Sequence, residues 1–164
     1  MDRVMLLHAL RDFTREATKE LILPTRVQSK TETPQSRAPD IYMMRLPDSK
    51  QATKKAPYIL HQVITGHDIQ PERSDMVSTC LVRSIFCAYS EDEQEGGLML
   101  LTMAERVRIA LLKSICIGGQ FDLDRHAGIE FLAYPDDTAP YYAGEMITTW
   151  NMPPVEREVR KLWE

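Results

Sequence analysis

The sequence predicts an α+β fold: a small mixed, mainly antiparallel sheet with helices packed on one face, plus an extended arm. Three observations carry this reading. Two stretches repeat apolar residues at helical spacing, one near residues 2–23 and one near 98–117. Several shorter runs are rich in Val, Ile, Tyr and Phe, as strands are. The runs come in groups, two before the second helix and two or three after it, and do not alternate singly with helices as parallel units would. The 164 residues suit one domain, 1–164, large enough to need no disulfide or metal staple.

The elements follow in order. Asp2 can cap a first helix that runs to about Leu23. Its stripe is Leu6, Leu10, Phe13, Ala17 and Leu21, and Pro24 ends it. Residues 25–56 carry Pro34, Pro39 and Pro47 among many polar side chains, so they read as an extended arm or long loop. Ile41–Leu46 is its one strand-like piece, a candidate β-hairpin limb. Tyr58–Ile64 is a strand, and Thr65–Asp75 is a polar turn with Gly66 and Pro71 as breakers. Met76–Tyr89 is a long strand with Val77, Leu81 and Ile85 on one face and Cys80, Val82, Phe86 and Ala88 toward the other. Apolar residues on both faces suit a central strand, or one pressed on a helix and on a neighbouring subunit.

Ser90–Gly97 is acidic and suits the approach to a helix N-terminus. The helix spans about Leu98–Ile117, with the stripe Leu100, Ala104, Val107, Leu111 and Ile115, and Gly118-Gly119 ends it. Phe121–Leu123 is a short extended piece. Gly128–Tyr134 and Tyr141–Trp150, joined by the turn PDDTAP, form an antiparallel hairpin. Residues 151–164 are a C-terminal tail, broken from the last strand by Pro153-Pro154 and carrying Trp163 as an anchor.

Composition excludes several classes. With 20 basic against 24 acidic residues the net charge is −4, and no basic stripe marks a nucleic-acid binder. The lysines Lys50, Lys54 and Lys55 read as a solvated loop. The cysteines Cys80, Cys87 and Cys116 form no CxxC pair, so the expectation is free thiols in a reducing cytoplasm. No stretch approaches the roughly 20 apolar residues that span a bilayer, and no apolar signal core follows the N-terminus.

Candidate chemistry is thin. His61 and His67 with Asp68 lack any metal-ligand spacing. A nucleophilic pair of Cys80 or Cys87 with His61 would place the thiol in apolar surroundings, which disfavours the thiolate. Asp122 with Asp124, and Asp136 with Asp137, are more simply turn residues than a catalytic pair. No phosphate loop, nucleophile elbow or zinc-protease motif is present. The expectation is a non-enzyme with no cofactor and no metal.

The segment from Pro57-Tyr58 to about residue 157 resembles the tail terminators, or tail-completion proteins, of long-tailed bacteriophages. The matching order is PY, strand, polar turn, a long strand ending in Tyr89 and acidic residues, glycine, then a helix carrying ERxR at Glu105–Arg108. It closes with Pro140-Tyr141-Tyr142-Ala143-Gly144, Thr149-Trp150 and Pro153. The 25–56 arm has no place in that pattern. The resemblance implies a structural virion protein in the tail-neck region, made in the host cytoplasm. It implies a homo-oligomeric ring, commonly a hexamer, that caps the tail tube and stops its polymerisation. Its partners would be tail tube protein, neck or connector proteins and, in contractile tails, sheath protein, with DNA only in passage. A different neck adaptor of the same particle, or a small hydrolase or binding domain, is the competing reading.

A ring subunit needs surplus apolar surface for heterologous contacts. Leu98 and Leu101, with Ile109 and Leu112, lie off the main helix stripe. Tyr134, Tyr141, Tyr142 and Trp150 give the hairpin aromatic anchors. Glu91, Asp92, Glu93 and Glu95 suit a ring face or an anionic lumen that does not grip DNA.

Overall fold

The computed structural model describes residues 2–27, 31–47, 55–135 and 138–156. Asp2 caps helix α1 (Arg3–Thr18), accepting the Met5 N–H at 2.8 Å. Leu6, Leu7, Leu10 and Thr14 face inward. The helix stops five residues short of the predicted end. Leu21 N–H closes a turn on Thr18 O (3.0 Å), and Leu23–Pro24 becomes strand β1, paired antiparallel with β2 (Ser36–Arg37). The proline therefore sits in a short strand and is not the helix stop.

The arm is structured in its described parts. Strand β3 (Asp40–Met43) runs parallel to β4 (Tyr58–Ile69), so it is not a hairpin limb. Arg37 ties the arm down. Its guanidinium donates to Lys55 O (2.8 Å) and Pro57 O (3.2 Å) and pairs with Asp40 (2.6 Å). Strand β4 also continues five residues beyond its predicted end. Gly66 is not a breaker but a strand residue just past a register shift between Val63 and Thr65. The Arg3 side chain lies where a Gly66 Cβ would stand, and reaches Asp68 at 2.9 Å. A missing side chain thus admits a charged one from another element.

Strand β5 (Val77–Tyr89) pairs antiparallel with β4 and with β8 (Tyr141–Met152). The sheet order is β3-β4-β5-β8, with β6 (Asp122–Leu123) and β7 (Ile129–Ala133) both on the outer side of β8. The fold class is thus α+β with a mixed, mainly antiparallel sheet, and β7–β8 is the predicted hairpin.

Helix α2 (Glu93–Lys113) begins earlier than its apolar stripe. Asp92 caps it, accepting the N–H groups of Gln94 (2.9 Å) and Glu95 (3.3 Å). Gly96 and Gly97 are inside its first turns. Leu100, Ala104, Val107 and Leu111 are buried as their spacing predicts. Ile115 is 91% exposed, because the helix has already ended at Lys113. Gly118 and Gly119, at φ 57 and 71, instead turn the chain back toward β6.

The two helices cover one face of the sheet. Between them lies the main core: Leu6, Leu10, Ile59, Val82, Phe86, Met103, Val107, Phe121, Met146 and Trp150 among others. Burial of each large side chain is worth roughly 1.5–3 kcal/mol against solvent. A smaller cluster, Leu46, Ala56, Tyr58, Leu60, Cys87 and Tyr89, lies on the opposite face, where the arm covers one end of the sheet.

Candidate interaction surface

The chemical candidates separate first. His61 is fully buried, and burial lowers its pKa to about 4. Its Nε2 bonds Thr14 Oγ1 (2.8 Å) on α1, and its Nδ1 bonds Ser84 Oγ (2.7 Å) on β5. One ring nitrogen donates and the other accepts, so the neutral ring is satisfied on both sides. Ser84, not a cysteine, is its strand neighbour. Cys80 and Cys87 are buried, and burial pushes both thiols up, Cys87 to about 11. That environment disfavours a nucleophilic thiolate. His67 is exposed, apart from His61, and no metal-holding group of three ligands occurs among the described residues. Asp124 caps the following turn, accepting from His126 N (3.0 Å) and Ala127 N (3.1 Å). Asp136 and Asp137 lie outside the described residues, as do Lys50, Lys54 and Trp163.

What the fold does build is a sheet face with no helix on it among the described residues. Side chains alternate across each strand, and the register places Tyr58, Leu60, Gln62, Leu81, Arg83, Ile85, Glu145 and Ile147 on this face. β7 adds Glu130 and Leu132, with Tyr134 just past its end, and the far end adds Ile69 and Val77. The arm covers only the Tyr58 end. Beyond it Leu81, Ile85 and Ile147 are half-buried, and Leu132 is 52% exposed, Ile69 47% and Val77 42%. A small polar network sits in the middle. Arg83 donates to Gln62 Oε1 through Nε (3.1 Å) and Nη2 (2.8 Å), and lies 3.9 Å from Glu145. The Tyr134 hydroxyl donates to Glu145 at 3.4 Å.

The outer flank of α2 is a second apolar surface. Leu98, Leu101, Ile109 and Leu112 are all exposed there, as their place off the stripe predicts. The Glu105–Arg108 fork, at 2.8 and 2.7 Å, interrupts them.

The predicted aromatic anchors divide. Tyr134 is at the surface. Tyr141 leans on Tyr89 with ring centroids 5.5 Å apart and accepts from Arg26 (3.2 Å). The Tyr142 ring is half-buried in the space a Gly96 side chain would take. Trp150 is corrected outright. It is fully buried in the main core, with its indole N–H donating to Thr148 Oγ1 (2.9 Å), so it offers nothing to a partner. A hairpin aromatic signals an interface only when its strand face points outward, and Trp150 shares the inward face of β8 with Met146. Glu91, Asp92, Glu93 and Glu95 are exposed together at the start of α2, with Glu91 accepting from the Tyr89 hydroxyl (2.7 Å).

Comparison with family models and with curated proteins gives no match for this chain. The fold and surface therefore define its class: a small α+β protein with a one-sided sheet. No helix among the described residues is long and apolar enough to cross a membrane.

Proposed function

We propose that the chain is a structural subunit of a phage-type tail: a tail terminator that forms a ring on the last turn of the tail tube. The ring stops tube polymerisation and presents a face to the neck or connector. One observation carries this reading: the helix-free sheet face keeps Leu81, Ile85, Ile147, Leu132, Ile69 and Val77 partly in water. These apolar side chains flank the Gln62–Arg83–Glu145 network, and a face that mixes exposed apolar groups with a polar cluster suits a contact surface. The exposed flank of α2 adds to it, and the resemblance of residues 57–157 to tail terminators supplies the biological setting. Partners in this reading are further copies, tail tube protein, connector proteins and sheath, while the acidic corner at Glu91–Glu95 keeps passing DNA at a distance.

The test is assembly. Light scattering of the purified chain is expected to give a closed oligomer, and the oligomer is expected to bind purified tail tubes. Particles lacking the protein are expected to carry tubes of uncontrolled length. Tails of normal length that fail to join heads would assign the chain to the adaptor role instead. A monomer at high concentration that turns over a substrate would end the structural reading.

A further inference from the structure

Among the described residues the sheet has two open edges, and they lie on opposite sides. On one side β7 is bonded only to β8 among the described strands. Tyr134 N–H donates to Ala143 O (2.9 Å) just past β7. An antiparallel ladder alternates, so the N–H and C=O groups of Ile129, Phe131 and Ala133 point away from β8. On the other side β3 covers β4 only from Tyr58 to His61, and Met44 Sδ takes the Val63 N–H at 3.3 Å. From Thr65 to Ile69, β4 has β5 as its only strand partner among the described residues.

Open edges recruit other strands unless lysine, proline or a bulge blocks them. β7 contains no lysine or proline and keeps an unbroken register. Thr65–Ile69 also lacks both, its bulge comes before it, and its one carboxylate, Asp68, is held by Arg3 and Ser78. Each edge is five residues long. β4, β5, β8 and β7 alternate in direction. Rotation of a copy about an axis along the strands therefore sets β7 against the next β4 in antiparallel sense.

We propose that copies of this chain join edge to edge, β7 of one pairing with Thr65–Ile69 of the next; this rests on the ring reading above and names its contact. The contact is heterologous, so it propagates until rotation closes it. The edges are also staggered. Phe131 is level with Ser84 on β5, whereas His67 is level with Thr79. Five residues of offset is about 17 Å at the antiparallel strand rise. Sheets that close on themselves require such a stagger, because their strands tilt against the axis.

The experiment uses the full chain with Cys116→Ser, to remove the exposed thiol, and cysteines at Leu132 and His67, both exposed on the helix-free face. A short bismaleimide is expected to give a ladder of covalent multimers that ends at the ring size, while each single-cysteine variant stays uncoupled. Dimers from Leu132→Cys alone would mean β7 meets β7, and would overturn the proposal. So would a ring by light scattering that gives no ladder. A chain that is monomeric at every concentration would remove the ring reading itself and this contact with it. Independently, Ala133→Pro deletes one outward N–H and no bond to β8. It is expected to raise the half-assembly concentration by at least about tenfold with an unchanged far-UV spectrum. Unchanged assembly of the folded variant would overturn the proposal.

Discussion

His61 shows how much a single residue can depend on its surroundings. The side chain joins α1 to the sheet through Thr14 and Ser84, with no water contact. Its folded pKa of about 4 lies below the ordinary 6.5. Between those values the unfolded chain binds a proton that the folded chain refuses. Stability is therefore full above about pH 6.5 and falls as pH drops toward 4, by about 3 kcal/mol in all. Denaturant titrations at pH 7 and pH 4.5 are expected to show this loss, and His61→Gln is expected to flatten it. An equal slope in the variant would mean other groups carry the effect. Two neighbouring glycines give a second residue-scale contrast. Gly96→Ala would drive its methyl into the Tyr142 ring, and is expected to cost about 1–3 kcal/mol. Gly97→Ala meets nothing within 4 Å and lies inside the helix, so it is expected to stabilise by up to about 1 kcal/mol. Thermal melts of the two variants should move in opposite directions.

At the scale of elements, helix and strand interiors were legible and their ends were not. The inward positions of α2 follow from spacing alone, since Leu100, Ala104, Val107 and Leu111 recur with the helical period. Its start did not follow, because it is set by an aspartate cap six residues before the first apolar residue and by the Tyr142 ring packed on Gly96, a contact from the far hairpin. Asp92→Ala is expected to cost about 1 kcal/mol, a fall of about 3 °C in Tm. A scanning calorimeter would read this directly, and an unchanged midpoint would show that the neighbouring acidic residues supply the cap. The end of β4 was missed for a related reason. Gly66 breaks an isolated strand, but here its bare Cα is what lets Arg3 lie across the sheet to Asp68. The arm's one strand was legible, but its pairing was not, because the order of the arm comes from contacts far along the chain, such as Arg37 with Pro57 O and Leu46 with the Tyr58 cluster.

At the scale of the whole molecule, the distribution of apolar surface decides the functional argument. The helices consume one sheet face and the arm consumes one end of the other, which leaves exposed apolar side chains on the rest of that face and on the flank of α2. Leu132→Glu together with Ile69→Glu sets like charges across the proposed contact and is expected to dissociate the oligomer without lowering monomer stability by more than about 1 kcal/mol, because both side chains are already exposed. Sedimentation and thermal melts on the same samples would separate loss of assembly from loss of fold. The candidate surface was half legible: Leu98, Leu101 and Tyr134 stand outside as expected, while Trp150 does not.

By itself the sequence determined the fold class, the order of the main elements and the inward face of the helices, because side-chain periodicity is a local property of an element. Only the tertiary structure decided which of two apolar strand faces received the helices, that β3 would pair in parallel, that His61 and Trp150 would be sealed inside, and which edges would be left open. Those outcomes depend on contacts between residues distant in the chain, and local spacing carries no record of them.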